Sequence, residues 1–191
     1  MGDDYAVIVL AGGAGSRLGG VDKPALRVGA RSLLDRVLTA VADAAEIVVV
    51  GPPRPTETPV RWTIETPPGS GPVSALAAGL AALDQDRDVA LLAGDSIGLR
   101  ADTVSRLRAE LAGRPGADGV LLCDAGGHVQ WLIGVWRAAA LRAAMPAEPA
   151  NRGLGRVLSA LTVVPLPERA GESADVDTPE DLRAARRRVT E

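Results

Sequence analysis

Short apolar runs that end at glycine restrict the fold of this chain more than any other feature of its sequence. Residues 5–10, 47–50 and 89–93 are apolar throughout, and a glycine follows each run within two positions. Because such runs offer an apolar side chain to both faces of a sheet, they are typical of strands buried in a parallel sheet. We therefore expect three neighbouring strands of this kind to form the centre of the molecule.

Segments with helical spacing separate these runs. Apolar residues recur every three to four positions in residues 31–44, and residues 70–83 and 101–112 also have the pattern of helices. The other predicted elements are strands at 61–65, 119–123, 130–135 and 162–166, and helices at 137–145, 152–161 and 178–188. Alternating strands and long helices predict crossover units, hence an α/β fold with a mostly parallel sheet. With 191 residues and no internal repeat, we expect one domain over residues 1–191.

Charge and rare residues exclude several classes of function. The formal net charge of −3 argues against a nucleic-acid binder, which needs a basic face. One cysteine and one histidine exclude an internal disulfide and a Cys-rich zinc site, so a bound metal is expected to have carboxylate and water ligands, as Mg²⁺ prefers. Neither a signal peptide nor an apolar run of membrane-spanning length is recognisable, so we expect a cytoplasmic protein without a membrane partner.

The glycine-rich segment 10–24 is the first candidate site. Five glycines lie within the nine residues 12–20, so backbone N–H groups can approach a triphosphate closely. Arg17 and Lys23 concentrate positive charge there, which would neutralise phosphate oxygens and the charge on leaving pyrophosphate. A flexible glycine loop with surface charges is the alternative interpretation.

Two better-known phosphate loops do not fit this segment. A Walker loop requires Ser or Thr directly after its lysine, whereas Pro24 follows Lys23. A dinucleotide fingerprint requires a third small residue where this chain has Leu18. The segment therefore belongs to neither class.

Acidic residues supply the candidate metal ligands. Asp95 follows the run 89–93 after Gly94, at the strand end where open parallel sheets bind ligands. Asp175 and Asp177 lie on the same side of an extended segment, where two acids repel unless a cation or hydrogen bonds offset the charge. A turn or capping aspartate at Asp95, and a solvated turn at 175–177, are the alternatives.

Three short motifs give the first segment a specific resemblance. Leu10-Ala11-Gly12-Gly13, then Ser16-Arg17, then Asp22-Lys23-Pro24 resemble the signature of the molybdenum cofactor guanylyltransferase family. That family belongs to a wider group of nucleotidyltransferases that also make nucleotide sugars and cytidylyl compounds. The resemblance implies a Rossmann-like, three-layer α/β/α sandwich of the nucleotidyltransferase, glycosyltransferase-A-like, type.

The resemblance also implies roles for individual residues. It places Leu10, Ala11, Gly12, Gly13 and Ser16 at the base and triphosphate, Arg17 and Lys23 on the phosphates, Ser70 and Gly71 in the base pocket, and Asp95 and Asp177, with Asp175 as second choice, on Mg²⁺. Ser70 and Gly71 also suit a simple turn and helix start. His128, Gln130, Asn151, Arg152 and Arg156 are candidates for acceptor contacts, with a surface turn and a solvated helix start as alternatives.

One segment departs from the family's pattern. Relatives usually continue the metal aspartate as Asp-x-Pro and then a bulky apolar residue, whereas this chain has Asp95-Ser96-Ile97-Gly98. The missing proline predicts a loop of different local geometry after the strand 89–93.

The implied reaction transfers GMP from GTP to molybdenum-bearing molybdopterin and releases pyrophosphate. Leu10-Ala11-Gly12-Gly13 resembles GTP users more than CTP users, and other proteins of molybdenum cofactor synthesis are possible partners. An acceptor phosphate that is already ionised needs no protein nucleophile, only positioning, a divalent ion and cations. The alternatives are a nucleotidyltransferase with a cytidylyl, sugar or small phosphate substrate, and a catalytically weak nucleotide-binding protein of the same fold.

Overall fold

Strands and helices alternate along the chain, as the apolar pattern predicts. The computed structural model describes residues 4–12, 21–169, 171–176 and 178–190. The strands are β1 Ala6–Leu10, β2 Arg27–Val28, β3 Arg31–Ser32, β4 Glu46–Val50, β5 Arg61–Thr63, β6 Val89–Ala93, β7 Gly119–Cys123, β8 Val129–Trp136 and β9 Val163–Pro167. The helices are α1 Leu33–Ala40, α2 Pro72–Ala82, α3 Ala101–Ala112, α4 Ala138–Ala144, α5 Leu154–Leu158 and α6 Pro179–Thr190, with a short 3₁₀ turn at Lys23–Ala25.

One sheet organises the described residues. Its seven strands have the order β5-β4-β1-β6-β8-β7-β9, and β2 and β3 form a separate small hairpin. Strand β8 runs antiparallel to both of its neighbours, while every other pair in the sheet is parallel. The prediction of a mostly parallel sheet is confirmed.

The two faces of the sheet carry separate apolar cores. In β1, Val7 and Val9 face the core that α1 and α3 cover. Ala6 and Ile8 face the opposite core, which α2, α4 and α5 cover. Alternate side chains of a strand point to opposite faces, so a wholly apolar strand serves both cores. The three-layer α/β/α sandwich is confirmed.

The boundaries of several elements differ from those predicted. Helix α1 begins at Leu33 rather than at position 31, because Ser32 caps it by accepting a hydrogen bond from the Asp35 N–H at 3.0 Å. Helix α5 covers five residues instead of the predicted 152–161, and Gly153 precedes it as its cap. The predicted start of the last helix is confirmed, since Thr178 and Asp181 hydrogen-bond reciprocally to each other's backbone N–H.

Within the described residues, no helix is both long enough and apolar enough to span a membrane.

Candidate active site

The first loop leaves the sheet between two other loops. Ala11 N–H donates to the Val50 carbonyl at 2.8 Å, and Gly94 N–H donates to the Leu10 carbonyl at 2.9 Å. Gly51 has a φ of +144°, and a Cβ at that position would lie 2.9 Å from the Ala11 carbonyl and the Gly12 nitrogen. The backbone of residues 10–12 is therefore fixed at the carboxyl edge of β4, β1 and β6, where only glycine fits beside it.

Four of the predicted site residues fall outside the described part of the chain. Gly13, Ser16 and Arg17 precede the described residue 21, and Asp177 lies between the described residues 176 and 178. Their assignment to the triphosphate and to Mg²⁺ stays a prediction.

Lys23 and Asp95 form an ion pair at this edge. Lys23 Nζ lies 3.8 Å from Asp95 Oδ2, with 15% and 26% of the two side chains exposed. Lys23 opens the 3₁₀ turn that follows the glycine-rich segment, and Asp95 follows β6, the neighbour of β1. Two predicted sites that are remote in sequence thus meet where adjacent parallel strands end.

Arg54 holds the residue that precedes Lys23. Its Nε and Nη2 donate to the two carboxylate oxygens of Asp22, both at 2.6 Å, and its Nη1 donates to the Pro52 carbonyl at 2.9 Å. Sequence reasoning missed Arg54 because it lies in a proline-rich stretch. Its position just after β4, at the ligand-binding edge, is the signal that would have revealed it.

The second acidic segment pairs with the loop that follows β6. Ser96 and Asp175 form an antiparallel bridge, and the N–H groups of Ile97 and Gly98 donate to the Ala174 carbonyl at 3.0 and 3.1 Å. Asp95 and Asp175 therefore lie on two strands of backbone that run side by side.

The departure from the family's Asp-x-Pro pattern has a structural reason here. A proline at position 97 would have no N–H to donate to Ala174. A Cβ at position 98 would lie 1.9 Å from the Gly171 carbonyl oxygen, so no bulky residue fits there. Ile97 and Gly98 are thus the residues that let segment 171–176 lie directly on this loop.

The acidic residues on these two adjacent backbones have the donor chemistry that Mg²⁺ prefers. Proteins hold Mg²⁺ through one or two carboxylates while substrate phosphates and waters complete its coordination. Asp95 and Asp175 offer this chemistry, and in the described ranges no three or more His, Cys, Asp and Glu side chains are grouped as a metal cage. The donor set suits an ion shared with a nucleotide.

The loop 65–71 contains the predicted base-pocket residues and one acid that sequence reasoning missed. Glu65 is 8% exposed, and its Oε1 accepts the Gly69 N–H at 2.8 Å. Considering the described atoms, Glu65 Oε2 and the Ser70 hydroxyl are buried without a hydrogen-bond partner. Buried polar atoms in this state are unfavourable, so the loop gains from a ligand that supplies donors.

Ser70 and Gly71 are fixed by the loop that contains Asn151. Asn151 N–H donates to the Ser70 carbonyl at 2.7 Å, and Asn151 has a φ of +57°. Gly71, with a φ of +98°, caps α2. The predicted acceptor residue Asn151 therefore touches the predicted base loop, while Arg152 donates to the Glu148 carbonyl at 2.7 Å.

His128 lies in the turn between β7 and β8, and Gln130 is the second residue of β8. Asp124 accepts the Gly126 and His128 N–H groups, both at 2.9 Å, and Gln130 Nε2 at 3.0 Å. The hydrogen bond from the His128 backbone outweighs burial and keeps the pKa of Asp124 below its usual range. These contacts explain the turn, and an acceptor contact by either residue stays a prediction.

Comparison with known proteins identifies the family of this chain. Residues 7–165 match the MobA-like NTP transferase domain. The molybdenum cofactor guanylyltransferase of Bradyrhizobium sp. (strain ORS 278) is 32% identical over 138 residues, which are 68% of this chain and 64% of that protein. The one from Mesorhizobium japonicum is 34% identical over 122 residues, 60% and 59% of the two chains. The matched part of the chain thus spans about three fifths of these curated relatives.

Solved structures share the fold across almost the whole chain. A nucleotidyl transferase from Methanothermobacter has a TM-score of 0.78 at 17% identity and 99% coverage of both chains. Molybdopterin-guanine dinucleotide biosynthesis protein A from Archaeoglobus fulgidus has a TM-score of 0.74 at 20% identity, covering 97% of this chain and 98% of that one. With the family model matched over most of its length, the chain belongs to the MobA-like NTP transferase family of nucleotidyltransferases.

Proposed function

We propose that this chain transfers the guanylyl group of GTP to the phosphate of molybdopterin that carries molybdenum, with Mg²⁺ as cofactor. The observation that carries the proposal is the convergence of Lys23, Asp95 and the Asp175 segment at the edge where β1 and β6 end. A phosphate-binding cation and two oxygen ligands for a divalent ion are the groups that nucleotidyl transfer requires.

The chemistry is a displacement at the α-phosphorus of GTP. An oxygen of the acceptor phosphate forms the new bond to that phosphorus, and the bond to the β-phosphate oxygen breaks, so that pyrophosphate leaves. Mg²⁺, when bound, would neutralise phosphate oxygens in this step. Asp95 would hold the ion together with Asp177, the first choice of second ligand, or with Asp175, while Lys23 would stabilise the charge on the triphosphate.

The ion pair of Lys23 and Asp95 brings together the two charges that the reaction would use. Each group neutralises the other at 3.8 Å. With nucleotide and Mg²⁺ bound, a phosphate oxygen would be the partner of Lys23, and Asp95 would hold the ion. Both charges would keep a partner, which would limit the unfavourable free energy of desolvation.

We assign the preference for guanine over other bases to the carboxylate of Glu65. Guanine presents two adjacent donors, N1–H and the exocyclic amine, and a carboxylate accepts two parallel hydrogen bonds. Glu65 Oε2 is enclosed by the loop 65–71, so we expect this loop to open when the base binds. The guanylyltransferase names of the two curated relatives support the same choice of nucleotide.

The decisive assay follows pyrophosphate release from GTP, CTP, ATP and UTP in the presence of Mg²⁺ and molybdenum cofactor. We expect release from GTP only. In Asp95→Asn, turnover should fall by about 100-fold or more, because the ion that would neutralise the reacting phosphates loses a charged ligand. The melting temperature should be unchanged. Asp84→Asn is the matched control. Asp84 is exposed, pairs with Arg61, and lies between α2 and the start of β6, at the edge of the sheet opposite to the candidate site.

Each alternative gives a different result. Release from CTP but not GTP would exclude the guanylyl assignment, and release with a sugar phosphate in place of molybdopterin would change the acceptor. Tight binding of GTP and Mg²⁺ in calorimetry without turnover would indicate a nucleotide-binding protein. An unchanged rate in Asp95→Asn would exclude Asp95 as a metal ligand.

A further inference from the structure

Glu172 is a buried acid that the proposed chemistry does not use. It is 1% exposed and lies in segment 171–176, three residues before Asp175. Acidic side chains are almost never buried this completely unless they are paired. Because Glu172 lies close in sequence to Asp175, its role in positioning that residue can be tested.

Helix α3 supplies the partners of Glu172. Thr103 Oγ1 donates to its carboxylate at 2.7 Å, and Arg106 Nη1 donates to both of its oxygens at 2.8 and 2.9 Å. The backbone N–H of Arg169 adds a bond at 2.6 Å. Arg106 also donates through Nη2 to the carbonyl of Pro167, the last residue of β9, at 3.0 Å. This network ties the segment to α3 and to the end of the sheet.

A second carboxylate holds the same segment from its other side. Glu168 Oε2 accepts the N–H of Ser173 at 2.9 Å and its hydroxyl at 2.5 Å. Glu168 Oε1 accepts the Ala125 N–H, in the turn between β7 and β8, at 3.3 Å. Segment 171–176 is therefore held by two acids, each of which is anchored to another part of the fold.

The fixed segment meets the loop after β6 along its backbone. The Ala174 carbonyl accepts two N–H bonds from Ile97 and Gly98, and the Gly171 carbonyl occupies the space that a side chain at position 98 would need. Asp175 then bridges to Ser96, the neighbour of Asp95. A shift of the segment would separate Asp175 from Asp95.

We propose that Glu172 is a positioning residue for the cation site: by anchoring segment 171–176 to α3, it holds Asp175 beside Asp95. The identity of the cation rests on the proposed function, whereas the anchoring does not. Partners that orient metal ligands typically change metal affinity by about 10- to 100-fold when they are mutated.

The test compares Glu172→Gln with Thr103→Val, a milder change that removes one hydrogen bond to Glu172. The control is Asp43→Asn, at the opposite edge of the sheet. This change removes the ion pair of Asp43 with Arg108 of α3 and leaves only a neutral acceptor for the Tyr5 hydroxyl, which donates to Asp43 at 2.7 Å. Amide hydrogen exchange of Ile97 and Gly98, followed by NMR, measures directly whether segment 171–176 stays bound to the loop after β6. The Mg²⁺ concentration for half-maximal GTP turnover reports the cation site.

In Glu172→Gln, the Ile97 and Gly98 amides should exchange at least about 10-fold faster, while the amides of β1 keep their protection. The Mg²⁺ midpoint should rise about 10-fold, with little change in the rate at saturating Mg²⁺. Thr103→Val should shift both quantities in the same direction by less, and it keeps the test available if Glu172→Gln does not fold.

Two results would overturn the proposal. One is wild-type protection of Ile97 and Gly98 in both variants. The other is an equal change of the Mg²⁺ midpoint in Asp43→Asn, which would indicate a general loss of stability. If the wild-type protein consumes no nucleoside triphosphate, the proposed function fails, and the exchange data still decide whether Glu172 anchors the segment.

Discussion

At the scale of single residues, the burial of an acidic side chain such as Glu65 could not be predicted from the sequence, whereas the position of Asp95 could. Glu65 stood at the end of a predicted strand, 61–65, where nothing in its neighbours indicates that it is enclosed. Burial of one side chain depends on how a loop folds over it, which no local pattern encodes. Asp95 was predictable because its position after an apolar strand follows from the geometry of parallel sheets.

Glu65→Gln should weaken the preference for guanine. The glutamine amide places a donor where guanine also has donors, and a bidentate contact to a base discriminates by about 1–3 kcal/mol. We expect KM for GTP to rise toward KM for inosine triphosphate, which lacks the exocyclic amine. Steady-state kinetics with both nucleotides measure this ratio. Glu57→Gln, at an exposed acid that pairs with Arg31, is the control. An unchanged ratio would contradict the assignment of Glu65.

At the scale of elements, complete apolar runs and regular helical stripes were predictable, whereas two-residue strands and contacts between distant segments were not. The bounds predicted for β6, β7 and α3 are those observed, because each is a complete apolar run or helical stripe. The hairpin of β2 and β3 was missed, since two-residue strands have no period to recognise. The docking of segment 171–176 on residues 96–98 was also missed, because it joins backbones that are distant in sequence.

Close packing of α2 on the sheet depends on Gly79. A Cβ there would lie 2.7 Å from Ile8 Cγ2 and 3.2 Å from Val50 Cγ2, and Ile8 is a stiff, β-branched residue in the central strand. Gly79→Ala gains up to about 1 kcal/mol in helix propensity, but overpacking costs about 1–3 kcal/mol. We expect a net loss of about 1 kcal/mol in the free energy of unfolding, measured by urea denaturation.

Gly113→Ala is the matched comparison for this change. Gly113 follows α3 with a φ of −75°, and a Cβ there would be 3.6 Å from its nearest neighbours. Since its conformation suits alanine, this variant should be neutral or slightly stabilised. If the two variants have equal free energies of unfolding, α2 can accommodate a Cβ at position 79, and the expected overpacking against β1 and β4 is wrong.

At the scale of the whole molecule, the Glu172 network makes stability depend on pH. Burial alone would raise the pKa of Glu172, but hydrogen bonds from Thr103, the Arg169 backbone and Arg106 outweigh it and hold the pKa below its ordinary value. The unfolded chain therefore takes up the proton first. The stabilisation is complete above the ordinary glutamate pKa of about 4.3 and is lost as the pH falls toward the lower, folded value.

Wild-type protein should therefore exceed Glu172→Gln in unfolding free energy by about 1.5–3 kcal/mol at pH 7, and this difference should shrink as the pH falls from 6 to 3. Urea denaturation at several pH values measures it. Glu110→Gln, at a partly exposed acid of α3 that pairs with Arg114 just beyond the helix, should differ from wild type by less than about 1 kcal/mol throughout. A difference that does not vary with pH would contradict the direction of the Glu172 pKa shift.

The strand order gives the reversed strand β8 a consequence for the integrity of the sheet. Strands β5, β4, β1 and β6 all come from the first half of the chain, and β8, β7 and β9 come from the second. Among the described strands, the antiparallel pairing of β6 with β8 is what joins the two half-sheets. Segment 171–176 adds a second connection, because it returns from the end of the chain to the loop after β6 and accepts hydrogen bonds there. The seam between the halves is therefore held at two places, one inside the sheet and one at its edge.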